Sequence, residues 1–238
     1  MKQIEQLKVK IFSDGADKAN MLEMASKPYI KGLTTNPTLM KKAGVNNYAS
    51  FCKDILGNIK DKPISFEVFS DDFQEMERQA MEIASWGGNV YAKIPITNTK
   101  RETCYALVKR LAANNVKLNV TAIMTLDQVR YVTECLNVSV PSYVSVFAGR
   151  IADTGRDPVP IMEQAVTLLE GLPMTELIWA SPRELLNVFQ ANKIGCDIIT
   201  VTNDILNKLS KIGYDLDEYS LDTVKMFYAD AVAAGFQL

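Results

Sequence analysis

Eight short apolar, β-branched segments recur about every twenty to thirty residues along the chain, and helical patterns fill the intervals. The segments are Val9–Ser13, Ile30–Thr34, Ile64–Phe69, Asn89–Ile94, Lys117–Ile123, Ser142–Phe147, Glu176–Ala180 and Asp197–Val201. Amphipathic stretches such as Asp72–Trp86, Arg101–Asn114, Leu126–Leu136 and Val159–Glu170 run between them. Strands that alternate with helices pair in parallel, because each helix carries the chain back before the next strand begins. Eight such units in 238 residues favour closure into a (β/α)8 TIM barrel over an open doubly wound sheet, with residues 1–238 as one domain. No GxGxxG or GxxxxGK[ST] turn follows the first strand, which argues against a nucleotide-binding sheet.

Local signals refine the element ends. Asp71 or Asp72 is placed to cap the helix that Phe73 continues, and Asn203 or Asp204 the one after the eighth strand. Gly87-Gly88 is expected to end a helix and turn the chain into the fourth strand. Beyond the eighth unit, Asp217–Ala234 reads as one more helix. Its Leu221, Val224, Phe227, Tyr228 and Ala231 fall at helical spacing, so that face needs cover from the barrel bottom, its mouth or a neighbouring subunit.

One absence narrows the chemistry sharply. The chain has no histidine, which removes Ser-His-Asp and Cys-His nucleophilic sites, HExxH metalloenzymes and histidine–zinc centres together. Cys52, Cys104, Cys135 and Cys196 lie far apart with no CxxC pair, so they read as small reduced core residues rather than metal ligands or disulfides. A formal net charge of −2 provides no basic footprint for nucleic acid. No apolar run is long enough to cross a bilayer, and MKQIEQLKVKIF does not read as a secretory signal, so a cytoplasmic address is expected.

Barrel strands point alternate side chains inward, and active sites gather at their C-terminal ends. Several of these strands end in polar residues that packing does not call for. The first leads into Asp14, and the second into Thr35-Asn36-Pro37. Glu67 shares a face with Ser65 and Phe69, Asn119 with Thr121, and Ser145 with Phe147, with Arg150 just beyond. Lys93 sits near the end of the fourth strand. A lysine inside a buried strand is costly unless it is paired, neutral or engaged in chemistry, and a neutral amine is the nucleophile that forms imines with carbonyls. An end-of-strand lysine can also snorkel to solvent. Asp14 can be a helix cap, Glu67 a charge leaning out of the strand end, Asn36 a turn residue before proline, and Arg150 and Arg183 surface pairs. Taken one at a time, these residues leave both readings open. Together they are a lysine, two carboxylates, amide and hydroxyl groups and two arginines at one end of one barrel.

Gly32-Leu33-Thr34-Thr35-Asn36-Pro37-Thr38 resembles the transaldolase signature after the second strand, and Tyr91-Ala92-Lys93-Ile94-Pro95-Ile96-Thr97 resembles that family's Schiff-base strand. Asn119-Val120-Thr121 and Ser145-Val146-Phe147-Ala148-Gly149-Arg150 follow in the family's order and spacing, so the resemblance runs from about Lys10 to the C-terminus. It implies a compact transaldolase or a fructose 6-phosphate aldolase relative acting on phosphorylated sugars without metal or organic cofactor. By the resemblance, Lys93 forms the imine, Asp14 is the acid/base, and Glu67 and Thr121 hold the proton-shuttling water. Thr35, Asn36, Asn119, Ser145 and Phe147 would line the sugar site, and Arg150, Ser181 and Arg183 would grip the phosphate. Glutamate at position 67, where aldolase relatives often carry glutamine, tilts the reading towards transfer. Trp179 stands where relatives tend to have a small residue; it either fills the barrel wall or narrows the pocket. The resemblance also implies a homo-oligomer, a pentamer or decamer, built through the terminal helix. Cleavage as the natural reaction, a silent sugar-phosphate-binding barrel and pyridoxal phosphate on Lys93 are the competing readings.

Overall fold

Alternation along each strand decides which side chains fill the barrel and which meet the helices. The structure, a computed structural model, describes residue 4 and residues 6–238. Its strands are β1 (Lys10–Asp14), β2 (Ile30–Thr34), β3 (Ile64–Glu67), β4 (Val90–Pro95), β5 (Leu118–Ile123), β6 (Ser142–Val146), β7 (Thr175–Trp179) and β8 (Ile198–Thr202). Each pairs in parallel with the next and β8 returns to β1, closing the eight-stranded barrel that the βα alternation predicts.

The helices are α1 (Lys18–Ser26), α2 (Pro37–Lys42), α3 (Tyr48–Asn58), α4 (Phe73–Ala84), α5 (Tyr105–Ala113), α6 (Leu126–Thr133), α7 (Ala148–Ala152), α8 (Val159–Leu169), α9 (Leu186–Lys193), α10 (Asn203–Leu206) and α11 (Leu216–Ala233). A single 3-10 turn, Asn207–Lys211, follows α10. Outward residues such as Leu33, Phe66, Ile94, Val120, Val144, Leu177 and Val201 form the layer between sheet and helices. Inside the barrel lies a separate cluster of Phe12, Tyr91, Tyr143, Ile178, Ala180 and Ile198. Tyr91 and Tyr143 stack with ring centroids 4.0 Å apart, and Phe12 meets Tyr143 edge-on at 5.8 Å. Gly32 makes room for this plug, since a Cβ there would lie 2.5 Å from the Phe12 ring.

Several element ends differ from the sequence expectation. β3 stops at Glu67, and Phe69 leaves the sheet to pack on Tyr48 in an exposed position. α5 begins at Tyr105 rather than Arg101, because Arg101 takes φ +66° and a Thr97–Thr103 bridge turns the chain first. α6 ends at Thr133 rather than Leu136. Asp72 caps α4 through the Glu75 amide, while Asp71 accepts from Thr99. That helix ends at Ala84 with Ser85 as its cap, so Gly87-Gly88 form the following turn and not the helix end. Asn203 and Asp204 do not cap α10; Thr202 precedes them and gives its own hydroxyl to Asp204.

Trp179 is fully buried on the helix side of the sheet, a wall filler that does not reach the barrel interior. α11 buries none of its residues: Leu216, Val224, Phe227, Tyr228 and Val232 are each more than half exposed. Among the described residues, no helix is long and apolar enough to cross a membrane.

Candidate active site

Inward positions two apart place a polar residue above an apolar or small one on strand after strand: Asp14 above Phe12, Thr34 above Gly32, Glu67 above Ser65, Lys93 above Tyr91. Parallel register then levels these upper residues, with Asp14 opposite Thr34 and Glu67 opposite Lys93. Together with Thr121, Thr200, Ala180 and Ser181 they line a cavity of about 470 Å³ at the C-terminal end of the barrel, with Asn36, Phe147 and Arg150 around it. A larger hollow of about 650 Å³, between Val9, Lys10, Ile11 and Lys27-Pro28-Tyr29 at the opposite end, holds none of these groups.

The Lys93 side chain is only 7% exposed, so the strand-end snorkelling reading does not describe it. Its Nζ donates to the Thr35 backbone carbonyl at 3.0 Å and lies 3.0 Å from Glu67 Oε2. Tyr48 donates to the Glu67 backbone carbonyl at 2.6 Å, tying α3 to the end of β3. Asp14 caps no helix; Asp17 takes that role for α1. Burial pushes the Asp14 carboxyl above its ordinary value. The positive Lys93 and a hydrogen bond from Thr34 pull it back, and the Glu67 charge adds to the rise. Thr34 Oγ1 donates to Asp14 Oδ1 at 2.7 Å and lies 2.6 Å from Thr200 Oγ1.

β5 slips register between Val120 and Ile123, and Ala122 takes φ +62°, a left-handed conformation that costs a non-glycine residue roughly 1–3 kcal/mol. The bulge falls beside Thr121, whose buried hydroxyl finds no protein partner. Thr35 Oγ1 is likewise buried and unpartnered, although Thr35 does not line the cavity. Asn119 and Ser145 do not line it either. They form a fully buried chain in which Ser145 Oγ donates to Asn119 Oδ1 at 2.7 Å, and Asn119 Nδ2 donates to Ser65 Oγ at 2.9 Å.

Asn36 caps α2 through the Leu39 amide and borders the cavity at the same time. The two arginines behave differently. Arg150 faces the cavity with its Cζ 5.5 Å from the Phe147 ring centroid, and among the described residues no carboxylate pairs with it. Arg183 lies off the cavity lining, clasped by Asp153 through Nε at 2.7 Å and Nη2 at 2.5 Å. Its Nη1 also donates to the Ser181 carbonyl. Ser181 is held at φ +58° against Gly149, where a Cβ would stand 1.6 Å from the Ser181 oxygen, so only glycine permits that approach.

Thr34 and Thr200 belong to this site as side chains, and so do Leu39, Ala122 and Met124 on its wall. The signal for Thr200 is alternation: it shares the inward face of β8 with Ile198 and Thr202.

Residues 11–238 match the family model described as Transaldolase/Fructose-6-phosphate aldolase. A protein of Thermoanaerobacter sp. named "Probable transaldolase" is 36% identical over 204 residues, covering 85% of this chain and 90% of its own length. Proteins of the same name from Geobacter metallireducens and Methanococcus maripaludis are 34% and 33% identical. They cover 85% and 84% of this chain, and 91% and 89% of their own lengths.

Proposed function

The chain belongs to the transaldolase/fructose-6-phosphate aldolase family, and on that premise we propose that it transfers a dihydroxyacetone unit from a ketose phosphate to an aldose phosphate through a Schiff base on Lys93. The observation that carries this reading is the buried Lys93 amine, set 3.0 Å from Glu67 at the base of a cavity that Asp14 and the unpartnered Thr121 hydroxyl also line.

Once its ammonium proton has passed to Glu67, 3.0 Å away, Lys93 adds to the C2 carbonyl of the ketose, and the carbinolamine loses water to give the protonated imine. Glu67 takes and returns the protons of that exchange, with a water held against the Thr121 hydroxyl. Asp14 removes the proton from the C4 hydroxyl, the C3–C4 bond breaks, and its electrons form the enamine while the nitrogen charge is neutralised. The first aldose leaves. The enamine carbon then attacks the carbonyl carbon of the second aldose, Asp14 returns its proton to the new alkoxide, and water releases the ketose product. Arg150 and Ser181, both on the cavity lining, meet the phosphate; the planar fork of Arg150 matches that group, and Arg183 stands behind them. The proposed route uses no metal or organic cofactor. Asn119 and Ser145 act from beneath the cavity, holding β5 and β6 in place under the bound three-carbon unit.

Glutamate at position 67 supports transfer over simple cleavage, since a carboxylate both orients and deprotonates the bridging water. The exposed apolar face of α11 supports a homo-oligomer in which a neighbouring copy covers it, of the pentameric or decameric kind that the family resemblance implies.

The test is borohydride reduction with fructose 6-phosphate, followed by peptide mapping, together with turnover measured with and without erythrose 4-phosphate. The reading requires the adduct on Lys93 and turnover that depends on the acceptor. Equal turnover without acceptor, with stoichiometric free dihydroxyacetone, makes the protein an aldolase; no adduct makes it a binding barrel.

A further inference from the structure

Asp14 lines the cavity with one of its two carboxylate oxygens already engaged. Oδ1 accepts from Thr34, while among the described residues Oδ2 accepts no hydrogen bond. Thr34 has a single hydroxyl hydrogen, and it is given to Asp14. The 2.6 Å contact between Thr34 Oγ1 and Thr200 Oγ1 therefore takes its hydrogen from Thr200. The resulting chain runs in one direction, Thr200 to Thr34 to Asp14. It spans the seam where β8, β1 and β2 meet, with Thr200 opposite Phe12 and Thr34 opposite Asp14. Both threonines are buried, at 6% and 3% exposure, so the bonds form away from bulk water, where each polarises the next.

We propose that Thr200 is a positioning residue for Asp14: through Thr34 it pins one carboxylate oxygen against the barrel wall and leaves the other directed at the substrate hydroxyl. This deepens the reading of Asp14 as the acid/base and rests on it. The charged groups that face Asp14 are Lys93 from β4, which favours the carboxylate, and Glu67 from β3, which opposes it. Arg150 lines the same cavity from α7. Neither Lys93 nor Glu67 hydrogen-bonds the Asp14 carboxylate, so the bond from Thr34 is the one it accepts from protein among the described residues.

A chain that donates towards a carboxylate favours its ionised form; a chain that runs the other way does not. Thr200→Val and Thr200→Ala remove the hydroxyl, the first keeping the β-branch suited to a strand and the second leaving no steric conflict. Thr200→Ser keeps the hydroxyl. The side-chain carboxyl of ¹³C-labelled Asp14 is titrated by NMR in the substrate-free protein, and kcat/KM is followed against pH in parallel. The midpoint of Asp14 should rise by roughly half to one pH unit in the Val and Ala variants, with the acid limb of kcat/KM following it, and Ser should restore both. An unchanged or lowered midpoint in whichever hydroxyl-free variant folds overturns the proposal, as does failure of Ser to restore it. The titration involves no substrate, so it decides the role of Thr200 even where trapping on Lys93 fails, an outcome that counts against the proposed function alone.

Discussion

Lys93 Nζ and Glu67 Oε2 lie 3.0 Å apart on residues that face each other directly across β3 and β4. With side chains only 7% and 16% exposed, the pair is nearly dry, and truncating either partner leaves the other poorly solvated. Glu67→Gln keeps the shape and removes the proton acceptor. Transfer should fall by about 10²- to 10⁴-fold while the Lys93 adduct still forms, and free dihydroxyacetone should rise relative to transfer product. Coupled assays run with and without an acceptor aldehyde measure that ratio.

Asp14 should link activity to stability in opposite senses. Its folded-state carboxyl titrates above the ordinary value of 3.8, so between the two values the folded chain binds more protons than the unfolded one. The group therefore costs no stability below pH 3.8, and a penalty grows as pH rises through the shifted value and persists above it. Asp14→Asn should melt at a higher temperature than the parent at pH 7, with the gap closing towards pH 4. Its kcat should drop by about 10²- to 10⁴-fold. Paired calorimetry and kinetics across that range check both signs.

Arg150 and Arg183 should separate in kinetics. Arg150→Ala should raise KM for a phosphorylated ketose by about 10- to 100-fold and leave an unphosphorylated one nearly unchanged, since a charge-assisted contact is lost. Arg183 is held by Asp153, an exposed pair that is cheap to break. Asp153→Asn should therefore release the guanidinium and lower KM for the phosphorylated substrate.

Gly32→Ala forces a methyl group into the Phe12 ring. Overpacking of this kind costs about 1–3 kcal/mol, seen as a fall in Tm, and Phe12→Leu in the same chain should recover part of it.

Removing the chain beyond Ile212 deletes α11. Sedimentation at micromolar concentration should show a multimer for the full chain and a smaller species for the truncated one. A monomer mass for the full chain would end the oligomer proposal.

Much of this site is legible in the sequence because lysine, glutamate and aspartate are poor barrel fillers, so Lys93, Glu67 and Asp14 stand out within apolar strands. Alternation likewise exposes the barrel itself. Hydroxyls do not stand out in that way. Threonine is a good strand former, and Thr200 in Ile-Ile-Thr-Val-Thr reads first as β-propensity. Nothing about an alanine announces the left-handed turn at Ala122. Depth is equally hidden: Asn119 and Thr121 share a face, yet only Thr121 reaches the cavity. The Asp153–Arg183 clasp joins residues thirty positions apart, and no local pattern pairs them.

The aromatic plug of Phe12, Tyr91 and Tyr143 gives the barrel a floor. The floor closes the barrel interior to passage from below, so the cavity is entered and left from the C-terminal side. Under the proposed transfer, the departing aldehyde and the arriving one take turns there, and the tether on Lys93 is what lets the three-carbon fragment wait between them. The proposed transfer therefore predicts ping-pong kinetics, from the shape of the vessel as much as from the covalent bond.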